Sequence, residues 1–145
     1  MAHDPDFNVE DYCAKLAASG SEHAHQRALF GWLNYVSFKG LVPLAGMCYA
    51  VPNGGKRDPA TAARLKAEGV KAGVPDVVYP VPRSTYASLY MELKVDKGRA
   101  SDAQEWWHQQ LRACGHAVAV CWGWQAARRC FLQYDAGGEV DKEYK

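Results

Sequence analysis

Two carboxylates and a lysine near the middle of the chain have the types and spacing of a site that hydrolyses phosphodiester bonds with a metal ion. Asp76 follows a Gly-Val-Pro stretch, and Glu92 and Lys94 form a later Glu-x-Lys motif. Carboxylate oxygens bind hard cations such as Mg²⁺, which contact substrate phosphates. Such a cation polarises the phosphate and helps to generate hydroxide from water, while Lys94 would orient that water or offset charge on the phosphorane. The three residues therefore predict a metal-dependent phosphodiester hydrolase.

A predicted β-hairpin would bring the two carboxylates together. Residues 76–81 have the pattern of a strand, residues 82–85 that of a turn, and residues 86–95 that of a returning strand. In an antiparallel pair, the start of the first strand lies beside the end of the second. We therefore expect Asp76 and Glu92 to be neighbours.

Alternation of side chains along the second strand would add the lysine to the same cluster. Glu92 and Lys94 should share one face, and Leu93 should point to the other face, into the core. An isolated Glu-x-Lys pair is more often a salt bridge on a solvated sheet face. The combination with Asp76, one hairpin upstream, favours the catalytic interpretation.

The length and composition favour one globular domain, 1–145, with flexible ends at residues 1–6 and 136–145. Hydrophobic residues make up 48% of the chain and charged residues 23%, which is ordinary for a globular protein. The sequence shows no signal-peptide pattern and no apolar run of membrane-spanning length. The five cysteines form no C-x-x-C pair, so reduced thiols are expected rather than a zinc site, with Cys114 and Cys121 in the core. A cytoplasmic protein without a membrane partner is expected.

The charge distribution indicates a local rather than a global nucleic-acid surface. The formal net charge is only +1. Cations nevertheless outnumber acids between residues 53 and 73, where they are Lys56, Arg57, Arg64, Lys66 and Lys71. This excess of positive charge would bind along a phosphate backbone, although a solvated helix face gives the same pattern.

Within this basic segment, a glycine-containing loop has the chemistry of a phosphate contact. Gly54 and Gly55 would let the backbone approach a phosphate closely, or would form a plain turn. Lys56 and Arg57 supply adjacent charge, and the Arg57 guanidinium can bind two phosphate oxygens. We therefore expect these residues, together with Lys71, to contact the nucleic-acid backbone.

Hydrophobic periodicity predicts an α/β fold with helices packed on a mixed β-sheet. Helices are expected at residues 9–18, 21–38, 58–68, 101–114 and 124–129. Besides the hairpin, strands are expected at residues 47–51, 117–122 and 130–134. The fourth helix should bury an inner face formed by Ala103, Trp107, Leu111 and Cys114.

The order of these motifs resembles that of the VRR-NUC nucleases, a branch of the PD-(D/E)xK restriction-endonuclease-like superfamily. The resemblance covers about residues 21–134. Its blocks are Glu22-x-x-x-Gln26, residues 53–57, residues 68–76, Glu92-Leu93-Lys94 and Ser101-x-x-Gln104. It implies a restriction-endonuclease-like core and metal-dependent DNA cleavage with Mg²⁺ or Mn²⁺.

The resemblance also implies roles for the residues of the central cluster. Asp76 and Glu92 would ligate the metal, and the backbone carbonyl of Leu93 would be a further ligand. Lys94 would be the catalytic lysine.

Three polar residues would support this cluster. By resemblance, Glu22 lies on the helix that faces the site, where it would touch the metal through water, and Gln104 supports the site from a later helix. Each residue also fits a helix cap, Glu22 after Ser19 and Gln104 after Ser101. Gln26 lies one helical turn from Glu22, so it would either support Glu22 or be solvated.

For a short, free-standing member, the resemblance implies a homodimeric resolvase of four-way (Holliday) junctions in DNA repair and recombination. Two symmetric cuts require two sites, which a two-fold dimer supplies. A flap, single-strand or end-directed nuclease that acts with a helicase or replication partner is a second interpretation. A DNA-binding module that kept the fold but does not cut is the third.

Overall fold

The computed structural model describes residues 4–53 and 57–145. The helices are α1 (Val9–Leu16), α2 (Glu22–Phe38), α3 (Pro59–Ala67), α4 (Asp102–Ala113) and α5 (Trp124–Asp135). The strands are β1 (Tyr49–Ala50), β2 (Val77–Tyr79), β3 (Leu89–Lys94), β4 (Ala117–Trp122) and β5 (Glu143–Tyr144). Three of the expected DNA contacts, Gly54, Gly55 and Lys56, lie outside the described residues.

The strands of the described ranges form one mixed sheet, in the spatial order β1-β2-β3-β4-β5. β1, β2 and β3 are antiparallel neighbours, whereas β4 lies parallel to β3 and β5 parallel to β4. β1 is shorter than predicted, because residue 47 belongs to a short 3₁₀-helix, Pro43–Met47. The predicted α/β fold class is confirmed. None of the helices that the structure describes is both long enough and apolar enough to span a lipid bilayer.

The main core lies between the sheet and the helices α2 and α5. It contains alternate residues of β3, Met91 and Leu93 among them, as expected for one face of a strand. Buried residues of α2 and α5, such as Leu29 and Phe131, cover this face. The opposite face of β3 carries Glu92 and is therefore free to form a polar site.

The β2–β3 hairpin forms as predicted, although its strands are shorter. Val77 pairs with Met91 in antiparallel register. β2 ends before Pro80, which has no N–H to donate to the sheet. An isolated bridge between Arg83 and Tyr86 lies in the turn region.

The predicted strand at residues 130–134 is wrong, because α5 continues through it to Asp135. The buried residues of this helix recur at helical spacing and are Trp124, Ala126, Ala127, Cys130, Phe131 and Tyr134. A short apolar run is ambiguous between helix and strand when only the sequence is considered. Packing of this face against β3, β4 and α2 selects the helix.

The last strand is instead β5, within the segment 136–145 that the sequence predicts as a flexible end. Tyr144 of β5 lies opposite Cys121 of β4. Tyr144 is buried, and its hydroxyl donates to Gln133 Oε1 at 2.9 Å. One aromatic side chain thus attaches this segment to the sheet, which the polar composition of the segment does not reveal.

Helix α4 does not bury the predicted inner face. The residues expected there are exposed or only half-buried, and they are Ala103, Trp107, Leu111 and Cys114. The buried residue of α4 is His108, because the helix covers the polar face of the sheet that carries Glu92. The prediction that Cys114 belongs to the core is therefore wrong, whereas Cys121 is buried as predicted.

The loop before Asp76 packs directly against α4. Gly73 has a φ of +93°, and a Cβ at this position would lie 2.8 Å from the backbone carbonyl carbon and oxygen of Ala103. The indole Nε1 of Trp107 donates to the carbonyl of Ala72 at 3.0 Å. These contacts fix the position of Asp76 relative to α4.

We expect Gly73→Ala to lower the free energy of unfolding by about 2–4 kcal/mol, because it combines left-handed backbone strain with a clash against the backbone of α4. Gly69→Ala is the matched control, since Gly69 has a φ of +100° but nothing within 4 Å of the added Cβ. In the control, only backbone strain should lower the free energy of unfolding, by about 1–2 kcal/mol. Urea unfolding of both variants measures the difference, and equal losses would show that Gly73 does not hold the loop on α4.

Candidate active site

The three predicted catalytic side chains converge at one end of the β2–β3 hairpin. Asp76 directly precedes β2, and its Oδ2 accepts a hydrogen bond from the backbone N–H of Leu93 at 2.8 Å. The carboxyl groups of Asp76 and Glu92 lie close enough that each shifts the pKa of the other. Lys94 Nζ lies 3.9 Å from Glu92 Oε1. The structure therefore contains the expected cluster of two carboxylates and one ammonium.

The antiparallel register explains this convergence. Val77 lies opposite Met91, so the residue before Val77 meets the residue after Met91, which places Asp76 beside Glu92. The backbone carbonyl of Asp76 remains part of the sheet edge, where it accepts the N–H of Val51 at 2.8 Å. The Asp76 backbone is thereby held between two strands while its side chain points to the cluster.

Glu92 is enclosed by the protein, with a relative exposure of only 1%. Its Oε1 accepts a hydrogen bond from Gln104 Nε2 at 2.8 Å. Its Oε2 is buried and has no hydrogen-bond partner in the described part of the chain, and His108 Nε2 lies 3.7 Å away. A buried carboxylate oxygen without a partner is costly unless the group is neutralised or binds a cation.

Gln104 both caps α4 and supports the site, which are the two roles that the sequence left as alternatives. Its backbone N–H donates to Ser101 Oγ, and its Oε1 accepts the backbone N–H of Ser101, which completes a capping box at the start of α4. Its Nε2 is thereby aimed at Glu92. The cap thus sets the orientation of the amide that holds the carboxylate.

Glu22 lies at the first position of α2 and reaches the cluster. Ser21, rather than Ser19, caps this helix by accepting the backbone N–H of Ala24 at 3.1 Å. Glu22 Oε1 lies 3.7 Å from Lys94 Nζ. The Lys94 ammonium is therefore placed between the carboxylates of Glu22 and Glu92, and only 11% of the lysine side chain is exposed.

The two central carboxyl groups have raised pKa values. Burial, followed by the charge and hydrogen bond of Glu92, raises the pKa of Asp76 to about 7. The Leu93 N–H and the Lys94 ammonium act against this rise. Burial also raises the pKa of Glu92 to about 7, with a smaller contribution from Glu22. The carboxyl groups therefore titrate as a pair that retains a proton near neutral pH.

The backbone carbonyl of Leu93 points to the same side as the carboxylate of Asp76. Backbone groups of successive strand residues point to opposite edges of the strand, and both groups of one residue point to the same edge. The Lys94 carbonyl accepts the N–H of Gly123 on the β4 side, so the Leu93 carbonyl faces the β2 side. The Leu93 N–H already reaches Asp76 on that side.

A cleft of about 670 Å³ opens in front of the cluster. Asp76, Glu92 and Lys94 lie on its inner wall, and Gln104 and Gln26 also line it. Gln26 is half-buried at this position, one turn along α2 from Glu22. The cleft gives a substrate access to carboxylates that are otherwise enclosed.

A smaller basic pocket of about 310 Å³ adjoins the cleft, and Asn53 and Ala72 line both. Three cations line the pocket, Arg57, Lys66 and Lys71, and the described part of its wall contains no acid. The Arg57 guanidinium donates to the carbonyl of Pro52, which directs it along the pocket wall. Of the expected DNA contacts, Arg57 and Lys71 therefore lie beside the cleft, and Lys66 joins them.

The donor set of the cluster fits a hard divalent cation. Within residues 4–53 and 57–145, no group of three His, Cys, Asp or Glu side chains is arranged to hold a metal. Asp76 and Glu92 supply carboxylate oxygens, one of them an unpartnered oxygen, and the Leu93 carbonyl faces the same side. Two carboxylates suit Mg²⁺ or Mn²⁺, since Mg²⁺ keeps several waters and does not require a complete protein cage.

Sequence reasoning missed two residues at the site. No motif of the sequence singles out His108, yet its Nε2 is buried beside Glu92. Its spacing of one helical turn from Gln104 could have indicated this. Asn53 lies in a block of the family resemblance, but the sequence assigns no contact to its side chain. Its Nδ2 donates to the carbonyl of Val74 at 2.9 Å, and its buried Oδ1 has no hydrogen-bond partner among the described residues.

Comparison with known proteins supports the family resemblance. A family model described as the VRR-NUC domain matches residues 41–125. A solved structure described as a VRR_NUC domain protein is 29% identical to this chain and superposes with a TM-score of 0.69. The match covers 86% of this chain and 95% of that one. A search of curated proteins found no match.

The segment matched by the family model contains Asp76, Glu92, Lys94 and Gln104, whereas Glu22 precedes it. The match spans more than half of the chain, and the same architecture recurs in the solved structure. Both findings indicate a function of the nuclease type, with DNA as the substrate. The chain belongs to the VRR-NUC domain family.

Proposed function

We propose that this protein is a metal-dependent endonuclease that hydrolyses phosphodiester bonds in DNA. The observation that carries the proposal is the buried Asp76–Glu92 pair, whose carboxyl groups meet beside Lys94 on the wall of an open cleft. Asp76, Glu92 and the Leu93 carbonyl would hold one Mg²⁺ or Mn²⁺, and Glu22 would reach it through water. Two buried acids with raised pKa values on the wall of an open cleft favour a functional site.

A bound divalent cation would supply Lewis-acid polarisation of the scissile phosphate and would lower the pKa of an attacking water. The protein residues orient the reacting groups. Gln104 holds one oxygen of Glu92, and the Leu93 N–H holds one oxygen of Asp76, so neither carboxylate is free to rotate. The hydrogen bonds are made before substrate arrives, which avoids reorganisation during the reaction.

We propose Lys94 as the catalytic lysine. Its ammonium lies between Glu22 and Glu92, at 3.7 Å and 3.9 Å, and faces the cleft. A held ammonium can donate to an attacking water or to a phosphate oxygen as negative charge develops. Glu22 would then act by holding Lys94 in place rather than by contacting DNA.

The substrate strand would run from the cleft into the basic pocket. Arg57, Lys66 and Lys71 supply positive charge there without a competing acid in the described wall. Charges of this kind set affinity through the phosphate backbone and not through base sequence. Binding of this type suits an enzyme that recognises the shape of its DNA.

A four-way (Holliday) junction is the substrate that we propose, with a homodimer as the active form. The proposal for the junction rests on the family resemblance and on the need for two symmetric cuts, which one site for each chain provides only in a two-fold dimer. The free thiols of Cys13, Cys48, Cys114, Cys121 and Cys130 suit a reducing compartment, and we propose the cytoplasm.

Asp76→Asn and Lys94→Ala should each abolish cleavage of a labelled four-way junction with Mg²⁺ or Mn²⁺, because the first removes a proposed metal ligand and the second removes the proposed catalytic ammonium. Removal of a comparable group in other enzymes costs about a hundredfold or more. Junction binding should persist in both variants. Asp96→Asn, which removes an exposed carboxylate just after β3, is the matched control and should cut normally.

The substrate panel for this experiment includes flaps, single strands and linear duplex. Preferential cleavage of flaps or single strands would replace the junction assignment with the flap-type nuclease. Binding of branched DNA without cleavage in either metal would identify a non-cutting module. Light scattering that shows only monomer at working concentration would contradict the dimeric resolvase.

The carboxyl pair predicts how the stability of the metal-free protein depends on pH. The folded-state pKa values of about 7 lie above the unfolded values near 4, so the folded protein binds more protons between these values. The free energy of unfolding should therefore fall as the pH rises from 5.5 to 7.5, by ~2 kcal/mol for one carboxyl group. Added Mg²⁺ should restore the stability lost at the higher pH, since it binds the folded state.

Urea unfolding of wild type and Asp76→Asn at both pH values measures this effect. Burial lowers the pKa of His108, which changes stability in the opposite direction, but His108 is present in both proteins. The difference between the two profiles therefore isolates the carboxyl pair. Identical profiles in the absence of metal would show that the pair does not retain a proton.

Arg57→Ala should weaken DNA binding and reduce the salt slope of log Kd by about one, as expected for the loss of one phosphate contact. Titrations in the Asp76→Asn background avoid cleavage. Arg64→Ala is the control, because Arg64 is exposed on α3, pairs with Glu68 at 3.5 Å and does not line the pocket. Equal weakening by both substitutions would show that only bulk charge matters.

A further inference from the structure

Helix α4 presents two side chains to Glu92. Gln104 and His108 are four residues apart, so they lie on the same face of the helix. Gln104 Nε2 donates to Glu92 Oε1 at 2.8 Å. His108 Nε2 lies 3.7 Å from the other oxygen, Oε2. One face of α4 therefore places a side chain beside each oxygen of the Glu92 carboxylate.

The His108–Glu92 contact joins two buried polar atoms without a hydrogen bond. Both side chains are only 2% exposed, and neither Glu92 Oε2 nor His108 Nε2 makes a hydrogen bond within residues 4–53 and 57–145. A distance of 3.7 Å is too long for a hydrogen bond and too short to place a water between the atoms. Leaving both atoms unpaired costs free energy, which a small approach to about 3 Å would recover.

We infer that His108 is a positioning residue that donates from Nε2–H to Glu92 Oε2 and, together with Gln104, fixes the orientation of this carboxylate toward Asp76. The inference rests on the proposed function only in that Glu92 is the proposed metal ligand. Orientation of a ligand by a second hydrogen bond typically changes metal affinity by about 10- to 100-fold.

The chemistry of the imidazole favours this role over simple packing. An imidazole can donate a hydrogen bond from Nε2–H, whereas an apolar side chain of similar size cannot. A leucine would fill the same space without an unpaired nitrogen, so packing alone does not call for histidine.

The first test measures Mn²⁺ affinity in the absence of DNA by electron paramagnetic resonance. His108→Leu should raise the Kd for Mn²⁺ about tenfold or more, because Oε2 loses its donor. His108→Gln should keep an affinity near the wild-type value, since its amide Nε2 can replace the imidazole Nε2–H. Leu111→Ala, which removes packing from the same helix, is the control and should leave the affinity unchanged.

Two results of this test would overturn the inference. One is a wild-type affinity in His108→Leu. The other is an equal weakening in His108→Leu and Leu111→Ala, which would indicate a general loosening of α4. Failure of the wild-type protein to bind Mn²⁺ in a manner that depends on Asp76 would instead refute the proposed metal site.

A second measurement needs no metal and therefore tests the role of His108 separately from the proposed metal site. The ¹⁵N chemical shifts of the imidazole at pH 8.5 identify which ring nitrogen of His108 carries the proton. The inference requires the Nε2–H tautomer and a change in its shift in Glu92→Gln. The Nδ1–H tautomer would leave Nε2 without a hydrogen to donate and would overturn the inference, whatever the outcome with Mn²⁺.

Discussion

The placement of two buried carboxylates side by side is the constraint on which the site depends. Asp76 and Glu92 are neighbours because the hairpin register pairs Val77 with Met91. Burial then raises the pKa of both carboxyl groups to about 7. Such a pair is stable only if a proton or a cation reduces its charge. The Leu93 N–H and the Gln104 amide donate hydrogen bonds to the pair, which lowers the free-energy cost of burying negative charge but does not remove it. Repulsion between the two acids would favour the binding of a cation, which is the basis of the metal site that we propose.

The fold directs several element ends to this one place. β3 ends at the cluster, β2 begins there, and the N-terminal turns of α2 and α4 contribute Glu22 and Gln104. Helix N-termini carry partial positive charge, which favours negative groups such as these carboxylates and an incoming phosphate. Gly73 permits the loop before β2 to touch α4, so the two halves of the site cannot move independently.

The sequence predicted the hairpin, and with it the convergence of Asp76, Glu92 and Lys94, because a strand period of two fixes which side chains share a face. It failed where tertiary packing decided the outcome. The apolar run at residues 130–134 fits helix or strand, and contact with the sheet selected the helix. The burial of His108 depends on which face of the sheet α4 covers, which helical periodicity alone does not specify. Residue types and spacing, together with the family resemblance, predicted the chemistry of the site, whereas its supporting contacts are visible only in the folded protein.

We propose that the Asp76 and Glu92 carboxylates together bind a divalent cation. An anomalous difference map from crystals soaked in Mn²⁺ tests this most directly. We expect a peak between the two carboxylates, on the side to which the Leu93 carbonyl points. A map without density at that position, in crystals where Mn²⁺ binds elsewhere and the cleft is open, would contradict this proposal.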